Sequence, residues 1–302
     1  MTLLSTLSAS PTPLPLTIEV REATPADAEA AGRVMYAAFR RFHESRGFPL
    51  DFPNVEVATG LAASYIADPL VYGVVAVSGD RIVGSNFLTE GDPIRGVGPI
   101  SVDPDIQDAG VGRLLMQAVV RRGASALGVR LLQDAFNTKS LALYASLGFR
   151  VREPVTVMSG RPRARLAAGA EVRRMTPADL SAADALARKV HGVARGAELR
   201  SALGRGTPVV LERGGRLLAY MTMPELWLLN HAVAETEADL MDLIVGAAAA
   251  CEEPIGFLLP VRHAALFHWC LGQGFAVVKP MTLMTRGEYR EPQGAWLPSV
   301  MY

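Results

Sequence analysis

The sequence predicts an α/β (mixed α+β) chain of two similar units, each a mixed, mostly antiparallel sheet flanked by helices. Three observations lead there. Glu19-Val20-Arg21 followed by Thr24-Pro25-Ala26-Asp27 recurs 152 positions later as Glu171-Val172-Arg173 and Thr176-Pro177-Ala178-Asp179. Gly148-Phe149-x-Val151-x-x-Pro154-x-Thr156-x-Met158 recurs 126 positions later, from Gly274-Phe275 to Met284. Between these markers, short β-branched and apolar runs alternate with segments of helical period. The offset shrinks by 26 (152 − 126), so the second copy lacks sequence in its middle. The chain has 302 residues, half of them hydrophobic and a fifth charged, which suits two domains of roughly 100–200 residues with full cores.

The elements follow from local chemistry. Ile18 to Arg21 reads as a strand. Thr24 then caps a helix to about Phe39, with Pro25 at its first position and Asp27 as the acid of a capping box. His43 to Glu56 is a loop rich in turn formers, and Glu56 to Ala67 a second helix. Tyr72–Val77 and Arg81–Leu88 form a hairpin across Ser78-Gly79-Asp80. Gly96–Val102 is a strand, Gly112–Leu127 a helix, Val129–Gln133 a strand, Ser140–Leu147 a helix and Phe149–Ser159 a strand. The second copy replays this pattern: a helix from Pro177 to His191, a hairpin of Val209–Glu212 and Arg216–Met223, helices Asp239–Cys251 and His263–Leu271, and strands Gly256–Leu259 and Phe275–Arg286. The expected division is a disordered leader at 1–17, a first domain at 18–160, a linker at 161–169 and a second domain at 170–302 with its apolar tail docked.

Lys plus Arg equals Asp plus Glu, so no global field recruits nucleic acid, and any anionic ligand needs a local site. No apolar run is long enough to cross a bilayer, and the leader lacks the basic start of a signal peptide. Cys251 and Cys270, the two cysteines, have neither CxxC spacing nor a histidine cluster beside them, which argues against a metal site or a disulfide framework and fits a cytoplasmic location.

One local site stands out. The strand ending at Ile100-Ser101-Val102 leads into Gln107-Asp108-Ala109-Gly110-Val111-Gly112-Arg113 and then a helix. Gly110 and Gly112 allow successive N–H groups to face one concavity, the helix adds its positive end and Arg113 a formal charge: a cradle for phosphate or pyrophosphate. It lacks the Gly-Lys-Ser/Thr of a Walker loop. It also lacks the third glycine and tight turn of a dinucleotide fold, although Asp134 lies about where a ribose-binding acid would stand. Downstream comes Asn137-x-x-Ser140-x-x-Leu143-Tyr144-x-x-x-Gly148-Phe149. By itself this is an amphipathic helix with Tyr144 half-buried and Gly148 after its end.

In series, the two motifs resemble the GNAT superfamily of acyl-CoA N-acyltransferases, over about Ile18 to Met158. The Gln/Arg-x-x-Gly-x-Gly/Ala pattern is met by Gln107, Gly110 and Gly112, and the Asn-x-x-Ala/Ser-x-x-Leu-Tyr-x-x-x-Gly-Phe pattern at every position. The repeat then implies two GNAT-like domains. The resemblance implies acetyl-CoA (coenzyme A) as co-substrate and no metal. Its pyrophosphate would rest on the N–H groups from Asp108 to Arg113, its pantetheine arm would run along Ile100, Ser101 and Val102, and Asn137 and Ser140 would lie beside it. An N–H of that strand would polarise the thioester carbonyl, and Tyr144 would protonate the departing thiolate. No carboxylate lies between Arg95 and Val102 to act as base. Glu90 is the first candidate, with Asp92, His43, Glu44, Glu56 or a water relay as alternatives.

Aligned on Gly-Phe, the second copy has His263 opposite Asn137 and Cys270 opposite Tyr144, with no glycine opposite the cradle. It is expected to keep the fold and lose the chemistry. The implied activity is transfer of a short acyl group to a small-molecule amine, by a monomer with an internal pseudo-dimer or by a homodimer. An acyl-CoA-binding sensor without turnover is the alternative. Neither nucleic acid nor membrane is an expected partner.

Overall fold

The computed structural model describes residues 17–106 and 109–301. The expected leader lies almost wholly outside the described residues, as do Gln107 and Asp108 of the cradle.

In the first repeat, β1 (Glu19–Glu22) leads to Thr24, whose N–H and hydroxyl both donate to Asp27 (2.7 and 2.8 Å). Arg21 clasps the same carboxylate at 2.7 Å. This box starts α1 (Ala28–Glu44), which buries Ala31, Met35 and Ala38. Asn54 caps α2 (Val55–Ala67) by accepting from Val57 N–H. Gly32 lets the two helices cross closely, because a Cβ there would stand 2.3 Å from the Thr59 Cα. Next come β2 (Val71–Ser78), β3 (Arg81–Thr89), β4 (Ile94–Gly96), β5 (Ser101–Val102), α3 (Val111–Arg122), β6 (Gly128–Asp134), α4 (Thr138–Ser146) and β7 (Arg150–Gly160). The second repeat runs β8 (Ala170–Arg174), α5 (Leu180–His191), α6 (Gly196–Arg205), β9 (Val209–Arg213), β10 (Arg216–Met221), β11 (Ala232–Ala234), α7 (Glu237–Ala250), β12 (Ile255–Pro260), α8 (Ala264–Gln273), β13 (Ala276–Gly287) and β14 (Ala295–Leu297). None of the described helices is long and apolar enough to cross a membrane.

These strands form three mostly antiparallel sheets, ordered β1-β2-β3-β5, β14-β11-β10-β9-β8 and β12-β7-β13-β6-β4. The third sheet joins the repeats by exchange. β13 of the second repeat lies between β6 and β7 of the first, and β7 lies between β13 and β12 of the second. Both strands lend their apolar faces to cores drawn from both halves: Val155 and Val157 pack with Met281 and Leu283, while Met284 joins Leu131 and Phe149.

The expected single strand Gly96–Val102 is divided. β4 runs parallel with β6, while β5 pairs with β3. Val97 N–H still reaches the Arg130 carbonyl (2.8 Å), but Gly98 N–H turns to the Phe87 carbonyl on the other side (2.9 Å). From Gly98 onward the chain departs from β6 and a wedge opens. In the second repeat that space is filled. The tail forms β14, pairs with β11 on the side facing β12, and buries Trp296 completely. Helix α6 and strands β11 and β14 had no counterpart in the expected elements, because each is short and lacks a clear period.

The Arg–Thr–Asp box recurs at Arg173, Thr176 and Asp179 with the same contacts. The arginine holds each aspartate far below the usual carboxylate range. Since the folded value lies below the unfolded one, this stabilisation is present above about pH 4 and fades as pH falls toward the folded value. Urea unfolding of Asp27→Asn and Asp179→Asn is expected to show losses of about 1 kcal/mol each at pH 7 that shrink below pH 4. Trp296→Ala should cost about 3–5 kcal/mol at any pH.

Candidate active site

The wedge between β5 and β6 opens into two connected cavities of about 580 and 570 Å³. Phe39, Ile100, Asn137, Ser140 and Tyr144 line both. The first cavity is the cradle. Its rim carries Ser101, Val102, Gly110, Val111, Gly112 and Arg113. Gly110 caps α3 at φ +81°, a left-handed conformation that costs a side-chain-bearing residue about 1 kcal/mol or more. The first turn of any helix leaves N–H groups without intrahelical partners; here Val111 and Gly112 border the cavity in that position, while the Arg113 N–H turns back to the Gly110 carbonyl (3.0 Å). Arg41, Arg46, Arg113 and Lys139 also line the cavity, and no acidic residue does so among the described residues. In a chain of zero net charge this gathers positive charge in one place, although Arg41 pairs with Asp105 (2.9 Å).

Several expected positions have structural duties as well. The Ser101 hydroxyl is buried against Ser85 (2.9 Å), so its backbone is what borders the cleft. Asn137 caps α4 by accepting from Ser140 N–H (3.1 Å). That helix presents Tyr144, which is buried edge-on to Phe149. Burial pushes the Tyr144 phenol up to about 12, partly offset by the Ser140 hydroxyl. It is therefore fully protonated at neutral pH, as a proton donor must be. Ala109 N–H turns back to the Ile106 carbonyl (3.4 Å).

Glu90 is not brought to this cleft. It is clamped by Arg95 (2.7 Å) and Arg122 (2.8 Å) and lines neither cavity. Asp92 accepts from Ala197 and Glu198 N–H at the start of α6. Glu44 pairs with Arg40, and Glu56 is exposed on α2.

What does reach the second cavity is a buried cluster that sequence reasoning did not assemble. Asp51 and Asp134 line the wall, backed by His43 and Lys279. The Lys279 ammonium donates to Asp51 (2.6 Å) and lies 2.8 Å from Asp134. His43 Nε2 is 3.1 Å from both Lys279 Nζ and Asp134, while its Nδ1 donates to the Phe39 carbonyl (2.9 Å). Nε2 can thus accept from Lys279 or, when protonated, donate to Asp134. Phe39, Phe42 and Phe136 enclose the imidazole, and the Trp227 ring stands 5.3 Å from the ammonium. His43, Asp51 and Asp134 offer ligand atoms within 4.8 Å of one another, a set able to hold a cation; Lys279 supplies positive charge there. Burial raises Asp51 above the usual carboxylate range, and hydrogen bonds from His43 and Lys279 hold Asp134 below it. His43 was a candidate from sequence. The signal for Lys279 was a lone charge within the apolar run Ala276–Met284.

At α7, Thr236 and Asp239 cap the helix, while Glu237 accepts from Leu266 N–H, so carboxylates occupy the positive end. Cys270, opposite Tyr144, is buried and its thiol is raised to about 12.

Residues 70–151 match the acetyltransferase (GNAT) domain family. Among curated proteins, a mycothiol acetyltransferase of Nocardiopsis dassonvillei is 40% identical over 78 residues, which span 25% of this chain and 23% of that relative. Among solved structures, a candidate acetyltransferase from Pyrococcus horikoshii superposes with a TM-score of 0.74 at 16% identity, covering 94% of this chain and 96% of the other. A tandem GNAT protein from the clavulanic acid biosynthesis pathway gives 0.57 at 15% identity, covering 89% and 98%. At these identities the likeness is one of fold, and it extends over nearly the whole chain.

Replacing Lys279 by Met removes the ammonium between two buried carboxylates. The expected loss is about 3 kcal/mol or more at pH 7. Both acids would then titrate higher in the folded than the unfolded state, so the loss should be smaller near pH 4, measurable by thermal melts across pH.

Proposed function

We propose that this chain transfers an acetyl or other short acyl group from coenzyme A to the amine of a small molecule, in the cleft of its first repeat. The observation that carries the reading is the split of the sheet at Gly98, which leads on one side to a cation-ringed cradle and on the other to a largely apolar cavity, with Tyr144 and Ile100 at the junction. The left-handed Gly110, the glycine at 112 and the absence of acids among the described lining residues fit a diphosphate. The Val111 and Gly112 N–H groups with the Arg113 guanidinium would hold it, and the coenzyme would supply the activated acyl carbonyl. The backbone around Ile100 would orient that carbonyl, and Tyr144 would hand a proton to the sulfur. A phenol raised to about 12 is a weak acid for a thiol of about 8.5, so placement rather than acidity must carry this step.

In this reading residues 18–160 form the acyl-CoA-binding unit and 170–302 a degenerate unit, closed by its own tail and by carboxylates at α7. Two free thiols fit a reducing compartment such as the cytoplasm.

Calorimetric titration with acetyl-CoA is expected to give one site per chain. Gly112→Ala should fold normally, since its Cβ would meet only ordinary contacts at 3.6 and 3.7 Å, whereas Gly112→Glu should abolish binding. Tyr144→Phe should keep the affinity and lower kcat by roughly 10²-fold. Two sites, or binding that survives Gly112→Glu, would contradict the assignment. Binding without turnover on any amine would favour a sensor.

A further inference from the structure

The second cavity contains more than an acyl acceptor strictly requires. Its walls are largely apolar, with Phe52, Leu61, Trp227 and Leu229 among them, they draw on both repeats, and polar groups enter at Gln133 and Glu225. Its polar floor is the pair Asp51 and Asp134, whose side chains are only 6% and 9% exposed. Two carboxylates face a single ammonium, so the cluster has room in its charge balance for a guest cation. Asp134 meets the Lys279 ammonium through Oδ1 (2.8 Å) and His43 Nε2 through Oδ2 (3.1 Å).

We propose that the acceptor is a primary amine on an apolar body, an arylalkyl- or alkylamine, taken as its ammonium ion at Asp51 and Asp134, and that Asp51 receives its proton. This rests on the acyltransferase reading above. The two carboxylates differ in surroundings. Asp134 is engaged by both His43 and Lys279, which hold it ionised to anchor the cation. Asp51 faces Lys279 from β13, His43 from α1 and Asp134 from β6, and it lines the cavity with burial raising it above its ordinary value. Once Asp51 takes one proton, the free amine attacks the thioester carbonyl. The C–N bond forms and the C–S bond breaks. Sulfur takes the Tyr144 proton, the surplus proton on the new amide nitrogen restores the phenol through solvent, and Asp51 releases its own to solvent. The net reaction frees one proton. Lys279 is a positioning residue, and it arrives on the exchanged strand, so the acceptor end of the site is incomplete without the second repeat. Apolar side chains outnumber polar ones along these walls, which favours an apolar amine over an amino sugar.

The test uses the full chain, with 2-phenylethylamine, hexylamine and glucosamine as probes and acetyl-CoA as donor. Thiol release is expected with the first two amines at a kcat/KM at least tenfold above that for glucosamine. Titration of 2-phenylethylamine into the protein saturated with coenzyme A should show binding that weakens at least tenfold in Asp51→Asn. Acetyl-CoA affinity in that variant should stay within threefold, its kcat/KM should fall at least 100-fold, and the rise of rate with pH assigned to Asp51 should disappear. Asp51→Glu should restore part of the rate. The proposal is overturned by a preference for glucosamine, by turnover of none of the amines while acetyl-CoA binds, or by an Asp51→Asn variant that keeps its rate. The first comparison needs no variant, so a misfolded Asp51→Asn would not rescue the proposal. A parent protein that binds no acetyl-CoA would overturn the acyltransferase reading itself.

Discussion

The exchange of β7 and β13 is the constraint on which the rest of the molecule depends. Each repeat ends in a strand that completes the other repeat's sheet. Unpairing either strand would strip hydrogen bonds from both neighbours and open cores shared by the two halves, so the repeats are coupled through the middle of one sheet rather than by a surface contact. The exchange also carries chemistry. Lys279 lies on β13 and compensates two carboxylates of the first repeat. Its counterpart in the repeat, 126 positions earlier, is Glu153 on β7, buried beside Arg262 of the second repeat. Each strand therefore delivers one charged side chain into the opposite half.

The two halves met the same geometric problem differently. A sheet that splits between two strands leaves backbone groups and apolar surface facing a gap, and buried backbone polar groups must find partners. In the first repeat the gap remains as a cleft lined by Gly110, Gly112 and Tyr144. In the second, β14 supplies the missing hydrogen bonds and Trp296 the missing volume. The tail thus explains why the second repeat can lack glycines opposite the cradle and carry Cys270 opposite Tyr144 without losing its packing.

Much of this was legible in the sequence, for physical reasons. The repeated Thr-Pro-Ala-Asp boxes act within a few residues of each other, so sequence spacing alone specifies them. The Gly-x-Gly loop and the Asn-to-Gly-Phe motif are likewise local, and the structure brings their described residues to one cleft. The strand exchange was not legible, because a strand's period tells which face is buried and not which strand lies alongside. The same limit hid the acceptor end. His43, Asp51, Asp134 and Lys279 are separated by up to 236 positions, and only the exchanged sheet makes them neighbours. Glu90 was chosen for its place before the strand, yet local arginines hold it away from the cleft. Divided strands and three-residue elements such as β11 and β14 leave too little periodicity to read.

The account's central claim is that one repeat binds while the other is self-filled. Hydrogen exchange measured by mass spectrometry, with and without acetyl-CoA, tests this most directly. Protection confined to the backbone around Gly98–Val102 and Gly110–Leu114, with none at Ala232–Asp239, is the expected pattern. Protection at Ala232–Asp239, or ligand binding that protects neither segment, would contradict it.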